Sequence, residues 1–451
     1  MKKLFGTDGI RGIAYRDITK ELVIKVASAI AYIFNRENKG IKVIIGNDGR
    51  ESANMILSTL KEELLSCGIS VLDAGLIPTP GISYLVKYYN YDLGIMISAS
   101  HNHHEYNGIK IFDKEGYKLS DDVESNIEDL IFDNIKYSST KRGIILDSRD
   151  VIKEYGNHLL DSLNKYNNNN VNYNNLNIGI DASNGASSKV CEYIFSKLGS
   201  KYHIINNAPN GTNINNNCGS THPEVLSSYV INNKLDIGIA YDGDADRVVF
   251  IDELGNIING DYTLAIISND LKNKNRLNKN TIVGTILSNL GLLEYCKNND
   301  IEFITTNVGD KYVLEYLRDN NLSLGGEEAG HIILKEYCNT GDGPLTSLIM
   351  LSILASTNTT FSNLTKIMHK YPEVHINIKV NNKNDFATSN MIEDSIKEIK
   401  NNFNGNYRLV VRPSGTEPLV RIVLEGEELK VLEESSNKIK SIIKNLNMEV
   451  V

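Results

Sequence analysis

The chain has few of the features that mark a secreted, membrane-bound or nucleic-acid-binding protein. Its five cysteines, Cys67, Cys191, Cys218, Cys296 and Cys338, are scattered and form no Cys-x-x-Cys pair. That spacing indicates neither a disulfide framework nor a zinc ribbon, and makes the cytoplasm the expected compartment. No apolar stretch approaches the roughly 20 residues of a spanning helix, and Lys2-Lys3 precede only two apolar residues before Gly6-Thr7-Asp8, so neither anchor nor signal peptide is expected. The formal net charge is −9. Binding to a phosphate backbone needs clustered Lys and Arg, so no nucleic-acid partner is expected and the few cations singled out below would serve a small anion. The glycines of a hydrolase nucleophile elbow are missing as well: two residues either side of Ser100 stand Ser98 and Asn102, which argues against a serine hydrolase.

What is present is strand–helix alternation. Strands are expected over 42–47, 70–74, 93–98, 177–181, 235–241 and 281–287, with helices over 51–65, after Ser187 and after 287. This is βαβ organisation, repeated weakly along the chain. At 451 residues the chain exceeds what one core supports, so three or four domains are expected. The C-terminal part differs, with strands over 374–380, 407–411 and 419–425 and helices over 391–401 and 427–444, and reads as a small α+β domain. The Asn-rich stretches 164–177, 206–217 and 269–280 are expected to be loops.

Three constellations carry chemistry. Ser100, in Ser98-Ala99-Ser100-His101-Asn102, follows the apolar run 93–97 and so lies where a strand ends, the place where open α/β sheets bind ligands. A serine there is otherwise an ordinary turn residue. Asp242-Gly243-Asp244-Ala245-Asp246-Arg247 follows another strand, and alternation puts its three carboxylates on one side of a tight segment, an oxygen-only set that suits Mg²⁺. An EF-hand is excluded, because Arg247 takes the obligatory glycine place and the run 248–251 reads as a strand. A haloacid-dehalogenase reading is disfavoured by Asp246. In Arg412-Pro413-Ser414-Gly415-Thr416-Glu417-Pro418, with Arg421 beyond, glycine and hydroxyl residues turn backbone N–H groups toward an anion and two arginines can fork onto phosphate oxygens. The alternative there is a plain Pro/Gly turn.

Taken with the opening Phe5-Gly6-Thr7-Asp8-Gly9-Ile10-Arg11-Gly12, with Asn107-Gly108-Ile109-Lys110 and with Gly326-Glu327-Glu328-Ala329-Gly330-His331, these motifs resemble, in order and over nearly the whole chain, the α-D-phosphohexomutase superfamily. Asn213-Ile214-Asn215 and Cys218-Gly219-Ser220-Thr221-His222-Pro223-Glu224 are similar to its bacterial phosphoglucosamine mutase branch, with phosphoglucomutase/phosphomannomutase the nearest alternative.

The resemblance implies an α/β protein: three related α/β domains around a central cleft (1–153, 154–254 and 255–370) and a C-terminal α+β, TATA-binding-protein-like domain (371–451). It implies an isomerase that interconverts glucosamine 6-phosphate and glucosamine 1-phosphate, supplying UDP-N-acetylglucosamine and cell-envelope synthesis. Ser100 would be a phosphoserine, one Mg²⁺ would bridge it to Asp242, Asp244 and Asp246, and glucosamine 1,6-bisphosphate would be the catalytic intermediate. The partner is then a small sugar phosphate, and a homodimer is implied. Lys110 would be a general acid/base with a lowered pKa; Arg11 and Arg247 would assist the transferring group and His101 would orient the serine loop. Glu327, Ala329 and His331 would face the sugar, and Arg412, Ser414, Gly415, Thr416 and Arg421 would hold the non-reacting phosphate. A phosphatase using the same phosphoserine, and a non-catalytic sugar-phosphate binder, are the competing classes.

Four residues depart from the family pattern. His103 replaces a proline, which predicts a looser serine loop. Ala329 replaces a serine hydroxyl, Lys311 an arginine, and Glu328 a Gln or Met; the Glu328 carboxylate is expected to favour the ammonium of glucosamine.

Overall fold

A computed structural model describes residues 4–35, 40–167, 171–357, 359–379, 405–413, 419–445 and 449–450. In the first sheet, β1 (Phe5–Gly6), β2 (Gly9–Ile13), β3 (Lys42–Asn47), β4 (Ser70–Leu76), β5 (Leu93–Ile97) and β6 (Tyr106–Asp113) lie in the order β1-β2-β6-β5-β3-β4. The second sheet, with β7 (Asn177–Asp181), β8 (Lys201–Ile205), β9 (Ile237–Tyr241), β10 (Val248–Asp252) and β11 (Ile257–Ile258), runs β11-β10-β9-β7-β8. The third holds β12 (Thr281–Thr285), β13 (Glu302–Thr306), β14 (Leu324–Gly326) and β15 (Ile332–Leu334) in the order β13-β12-β14-β15.

One motif is written three times in these sheets. In each, a first strand pairs in parallel with the second and third strands, and the third pairs antiparallel with a fourth: β3 with β4 and β5, then β6; β7 with β8 and β9, then β10; β12 with β13 and β14, then β15. The repetition expected from the strand–helix alternation is therefore real. Each third-to-fourth-strand connection is a hairpin loop at the carboxyl end of the third strand, and those loops are 98–105, 242–247 and 327–331.

The central strands are buried on both faces, which is why they read as unbroken apolar runs. In β3, Val43 and Ile45 join the core under the helices α1 (Lys20–Phe34), α2 (Ala53–Ser66) and α4 (Asp121–Phe132). Ile44 faces the other way, onto α3 (Thr79–Tyr88) and the start of α5 (Val151–Asn167). The period of two along a strand thus fills two cores from one segment. The helices α6 (Ser187–Leu198) and α7 (Pro223–Asn233) cover the second sheet, and α8 (Gly260–Asn273), α9 (Leu290–Asn298) and α10 (Asp310–Asn320) the third. Between these two units lies α11 (Gly343–Thr357), apolar all round and buried along Gly343 to Leu354, so the two share one continuous core. A short turn of helix, α12 (Phe361–Leu364), leads out of the third unit.

The last unit is an antiparallel sheet of β16 (Glu373–Lys379), β17 (Tyr407–Pro413), β18 (Leu419–Gly426) and β19 (Glu449–Val450), ordered β17-β18-β16-β19 and packed on α13 (Leu429–Asn445). Pro413 is the last residue of β17, an edge strand, where proline is tolerated. The helix expected over 391–401 lies outside the described residues.

Two expected loops are partly helical: α5 runs on to Asn167 and α8 to Asn273. Asparagine costs a helix only about 0.7 kcal/mol relative to alanine, and burial of Leu163, Tyr166 and Leu271 on the shared core outweighs it. The stretch 206–217 is a loop, as expected.

Candidate active site

The serine loop and the acidic loop meet. Ser100 is fully buried with φ at 51°, a left-handed conformation uncommon for a residue with a Cβ, and its hydroxyl donates to Asp242 Oδ2 at 2.6 Å. Its amide donates to Ser98 Oγ at 2.8 Å, and Ser98 in turn donates to Asp48 at 2.6 Å. The sequence expectation had not included the clamp that enforces this loop. Arg50, buried just after β3, donates to the carbonyls of Ser100, Asn102, His103 and Tyr106 at 2.5–3.0 Å while its Nε pairs with Asp48 at 2.9 Å. Asn215 adds bonds to the Ser100 and Asn102 carbonyls at 2.8 and 3.0 Å. The looseness expected from His103 is thus countered by side chains that bind the backbone around it. The signal for Arg50 was a polar Asn47-Asp48-Gly49-Arg50 run ending a buried strand.

The three aspartates are buried, and one oxygen of each lies within 4.8 Å of the others. Burial first, then repulsion from Asp246 and Asp244, pushes the Asp242 carboxyl up to about 8. Asp244 Oδ1 and Asp246 Oδ1 are buried without a hydrogen-bond partner. Oxygen-only ligands with idle acceptors and mutual repulsion fit a hard divalent cation such as Mg²⁺. Their other oxygens are engaged: Asp244 Oδ2 accepts from Thr79 Oγ1 at 2.5 Å, and Lys110 Nζ contacts Asp244, Asp8 and Asp246 at 2.6, 2.9 and 3.1 Å.

Lys110 reaches this point because β6 pairs it with Met96, one step before the end of β5. The expected lowering of its pKa is overturned. Burial does work against the ammonium, but Asp244, Asp246 and Asp8 outweigh it and hold the group well above its ordinary value.

Around Ser100 the opposite charge gathers. Arg11 pairs with Asp8. Arg247 lies 4.0 Å from Asp246, and the buried Nε of both arginines has no hydrogen-bond partner. Burial, then the charges of Arg247 and Arg11, depress His101 to about 3, so it stands as a neutral ring. A neutral imidazole and two arginines with idle donors form a receptor for an anion beside the serine hydroxyl.

The third unit brings Glu327 and His331. Glu327 Oε1 accepts from the Gly309 amide at 2.9 Å, and buried His331 sits 3.4 Å from Asp310 and 3.7 Å from Asp246. Burial opposes the imidazolium, yet Asp310 and Asp246 outweigh it and raise its pKa. Ala329 is exposed at the loop tip. Glu328 does not offer a free carboxylate as expected, since it accepts from Asn259 at 3.0 Å and pairs with Lys370 at 3.1 Å. Lys311 bridges the units, pairing with Asp121 and Glu124 of α4 at 2.6 and 3.2 Å. Lys118 does the same, 2.5 Å from both Asp8 and Asp310; nothing in its local sequence marked it.

In the last unit, Arg412 and Arg421 stand directly opposite each other on β17 and β18. Like charges in that relation destabilise a sheet unless an anion is shared. Burial, then Arg421, lowers the Arg412 pKa, and its Nε has no hydrogen-bond partner. Ser414, Gly415 and Thr416 lie outside the described residues.

Matches to known families follow the same fourfold division. Residues 2–138, 153–255 and 259–371 match the phosphoglucomutase/phosphomannomutase alpha/beta/alpha domains I, II and III, and 376–440 match that family's C-terminal domain. The chain belongs to the phosphoglucomutase/phosphomannomutase family. Phosphoglucosamine mutases of Caldicellulosiruptor bescii and Clostridium botulinum are 42% and 44% identical to it over 99% of both chains. In fold it is similar to a phosphoglucomutase/phosphomannomutase family protein from Burkholderia thailandensis, with a TM-score of 0.81 at 20% identity over 99% of this chain and 98% of that one. The family is one of isomerases that move a phosphoryl group.

Proposed function

We propose that the protein is a phosphoglucosamine mutase, interconverting glucosamine 6-phosphate and glucosamine 1-phosphate. The observation that carries the reaction class is Ser100 Oγ, 2.6 Å from Asp242 in a buried triad and flanked by Arg11, Arg247 and His101. The full-length relatives support the amino sugar.

In this reading Ser100 carries a phosphoryl group in the resting enzyme. The O1 hydroxyl of glucosamine 6-phosphate attacks that phosphorus, the bond to Ser100 Oγ breaks, and the sugar proton is taken up as the serine hydroxyl is restored. The resulting 1,6-bisphosphate reverses its orientation. Ser100 Oγ then takes the 6-phosphoryl, the proton returns to O6, and glucosamine 1-phosphate leaves. Asp242, Asp244 and Asp246 would hold Mg²⁺, whose charge would supply Lewis-acid stabilisation to the Ser100 oxygen.

Arg11 and Arg247 bind the equatorial oxygens of the moving phosphoryl, where charge collects in a loose transition state. His101, neutral between them, donates without adding repulsion. Lys110, held as an ammonium among Asp8, Asp244 and Asp246, puts positive charge beside the sugar oxygen from which the phosphoryl departs. Arg412 and Arg421, with Ser414, Gly415 and Thr416, hold the other phosphate in both orientations, while Glu327 and His331 meet the sugar hydroxyls and Ala329 leaves them room. Fixing the remote phosphate lowers the barrier by supplying orientation in advance. We divide the chain at 153/154, 254/255 and 370/371, so that each domain supplies one loop.

The test is conversion of glucosamine 6-phosphate with Mg²⁺ and a trace of glucosamine 1,6-bisphosphate, with glucose and mannose phosphates run in parallel. Preference for the amino sugar supports the reading. Preference for a neutral sugar would transfer the assignment to phosphoglucomutase/phosphomannomutase, and inorganic phosphate as the main product would make the protein a phosphatase.

A further inference from the structure

We propose that His103, His104 and Glu105 form a second divalent-metal site, of the zinc class, on the turn that closes the serine loop. One ligand atom from each of the three lies within 4.8 Å of the others, and His103 Nδ1 is 3.8 Å from Glu105 Oε2. Ligands bonded to one tetrahedral zinc lie about 3.4 Å apart, so small rotations complete the set. The two imidazole rings are 4.2 Å apart between centroids, tilted by 55°. A second observation points the same way: His104 Nδ1 is buried and has no hydrogen-bond partner.

The turn beneath these side chains is already fixed. The Tyr106 amide donates to the His103 carbonyl at 3.0 Å, Arg50 donates to the His103 and Tyr106 carbonyls at 2.5 and 3.0 Å, and the Ala14 amide donates to the Glu105 carbonyl at 2.8 Å. A backbone held on three sides loses little further freedom when the side chains gather on an ion. The donor set also separates this site from the aspartate triad. Two imidazoles and one carboxylate suit Zn²⁺, whereas three carboxylates suit Mg²⁺. His103 and His104 are exposed and half-buried, and Glu105 is exposed, so an ion reaches them without opening the cleft and keeps a fourth position for water. Because Arg50 gathers the carbonyls of Ser100, Asn102, His103 and Tyr106 together, an ion at 103–105 is mechanically joined to the serine.

The experiment is calorimetric titration of Zn²⁺ into the full-length protein in excess Mg²⁺, repeated with His103→Asn/His104→Gln and with Glu105→Gln. Co²⁺ is used as a spectroscopic substitute, and circular dichroism confirms that the variants are folded. The expected result is one zinc per chain that excess Mg²⁺ does not displace, with a cobalt spectrum free of thiolate charge transfer. Affinity should fall about 100-fold in the double variant and about 10-fold in Glu105→Gln. Undiminished binding by the folded double variant would place the ion on the triad or a thiol and overturn the proposal, as would absence of a Mg²⁺-resistant zinc from the native protein. The readout is metal binding, so it is independent of which sugar the enzyme converts.

Discussion

Replacing Arg50 by lysine tests how the serine loop is held. Arg50 makes five hydrogen bonds from one buried plane, to Asp48 and to the carbonyls of Ser100, Asn102, His103 and Tyr106. An ammonium keeps the charge but projects three donors from one point and cannot span that set. With Asp48 satisfied, two carbonyls at most remain in reach. Asn215 still serves Ser100 and Asn102, so His103 and Tyr106 lose most. Each bond from a charged donor contributes about 1.5–3 kcal/mol, and losing two, with partial relaxation, amounts to about 2–4 kcal/mol. The kinetic effect is the more diagnostic one. A shift of about 1 Å in a reacting oxygen lowers a rate about 100-fold, and Arg412 on β17 and Glu327 on its own loop, both remote in sequence, are untouched. Arg50→Lys should therefore lower kcat about 100-fold with KM changed less than about threefold, and should lower the urea midpoint. A folded variant with native kcat would refute the view that Arg50 sets the position of Ser100.

Other outcomes follow from single contacts. Arg412→Ala removes one fork from the facing arginine pair and should lower kcat/KM about 10- to 100-fold, measured with saturating Mg²⁺; an unchanged value would remove Arg412 from the phosphate site. Glu328→Gln should leave the ratio of activities on glucosamine and glucose phosphates within about twofold, because Lys370 already neutralises that carboxylate; a large change would restore Glu328 as an ammonium receptor. Asp261, buried in α8, is pushed up from its ordinary 3.8 to about 8 by burial and then by Glu328. Between those values the folded chain keeps a proton that the unfolded chain has released, so this group makes stability fall as pH rises from about 4 to about 8. Asp261→Asn should flatten that slope in urea midpoints taken across the range, and parallel curves for native and variant would contradict it.

Much of the fold was legible because parallel strands buried on both faces are continuous apolar runs; 42–47 and 177–181 coincide with β3 and β7. The threefold motif was only faintly visible, since it resides in strand pairing rather than in composition. Ser100, the aspartates and the arginines were readable as short motifs. What could not be read was the means of holding them together. Arg50, Thr79 and Lys118 act on residues 50 or more positions away, through contacts that only the folded chain creates. The lowered pKa expected of Lys110 fails for the same reason: the three carboxylates that surround it come from other segments. Glu328 looked available because its partner Lys370 lies 42 positions further on.

The most direct test of the central claim is the mass of the intact protein after exposure to glucosamine 1,6-bisphosphate and Mg²⁺, followed by a chase with glucosamine 6-phosphate. The account predicts one phosphoryl group on Ser100, absent from Ser100→Ala, that passes into sugar bisphosphate during the chase. A native protein that carries no phosphoryl group after the exposure, carries it on another residue, or gives it up only to water would contradict the account.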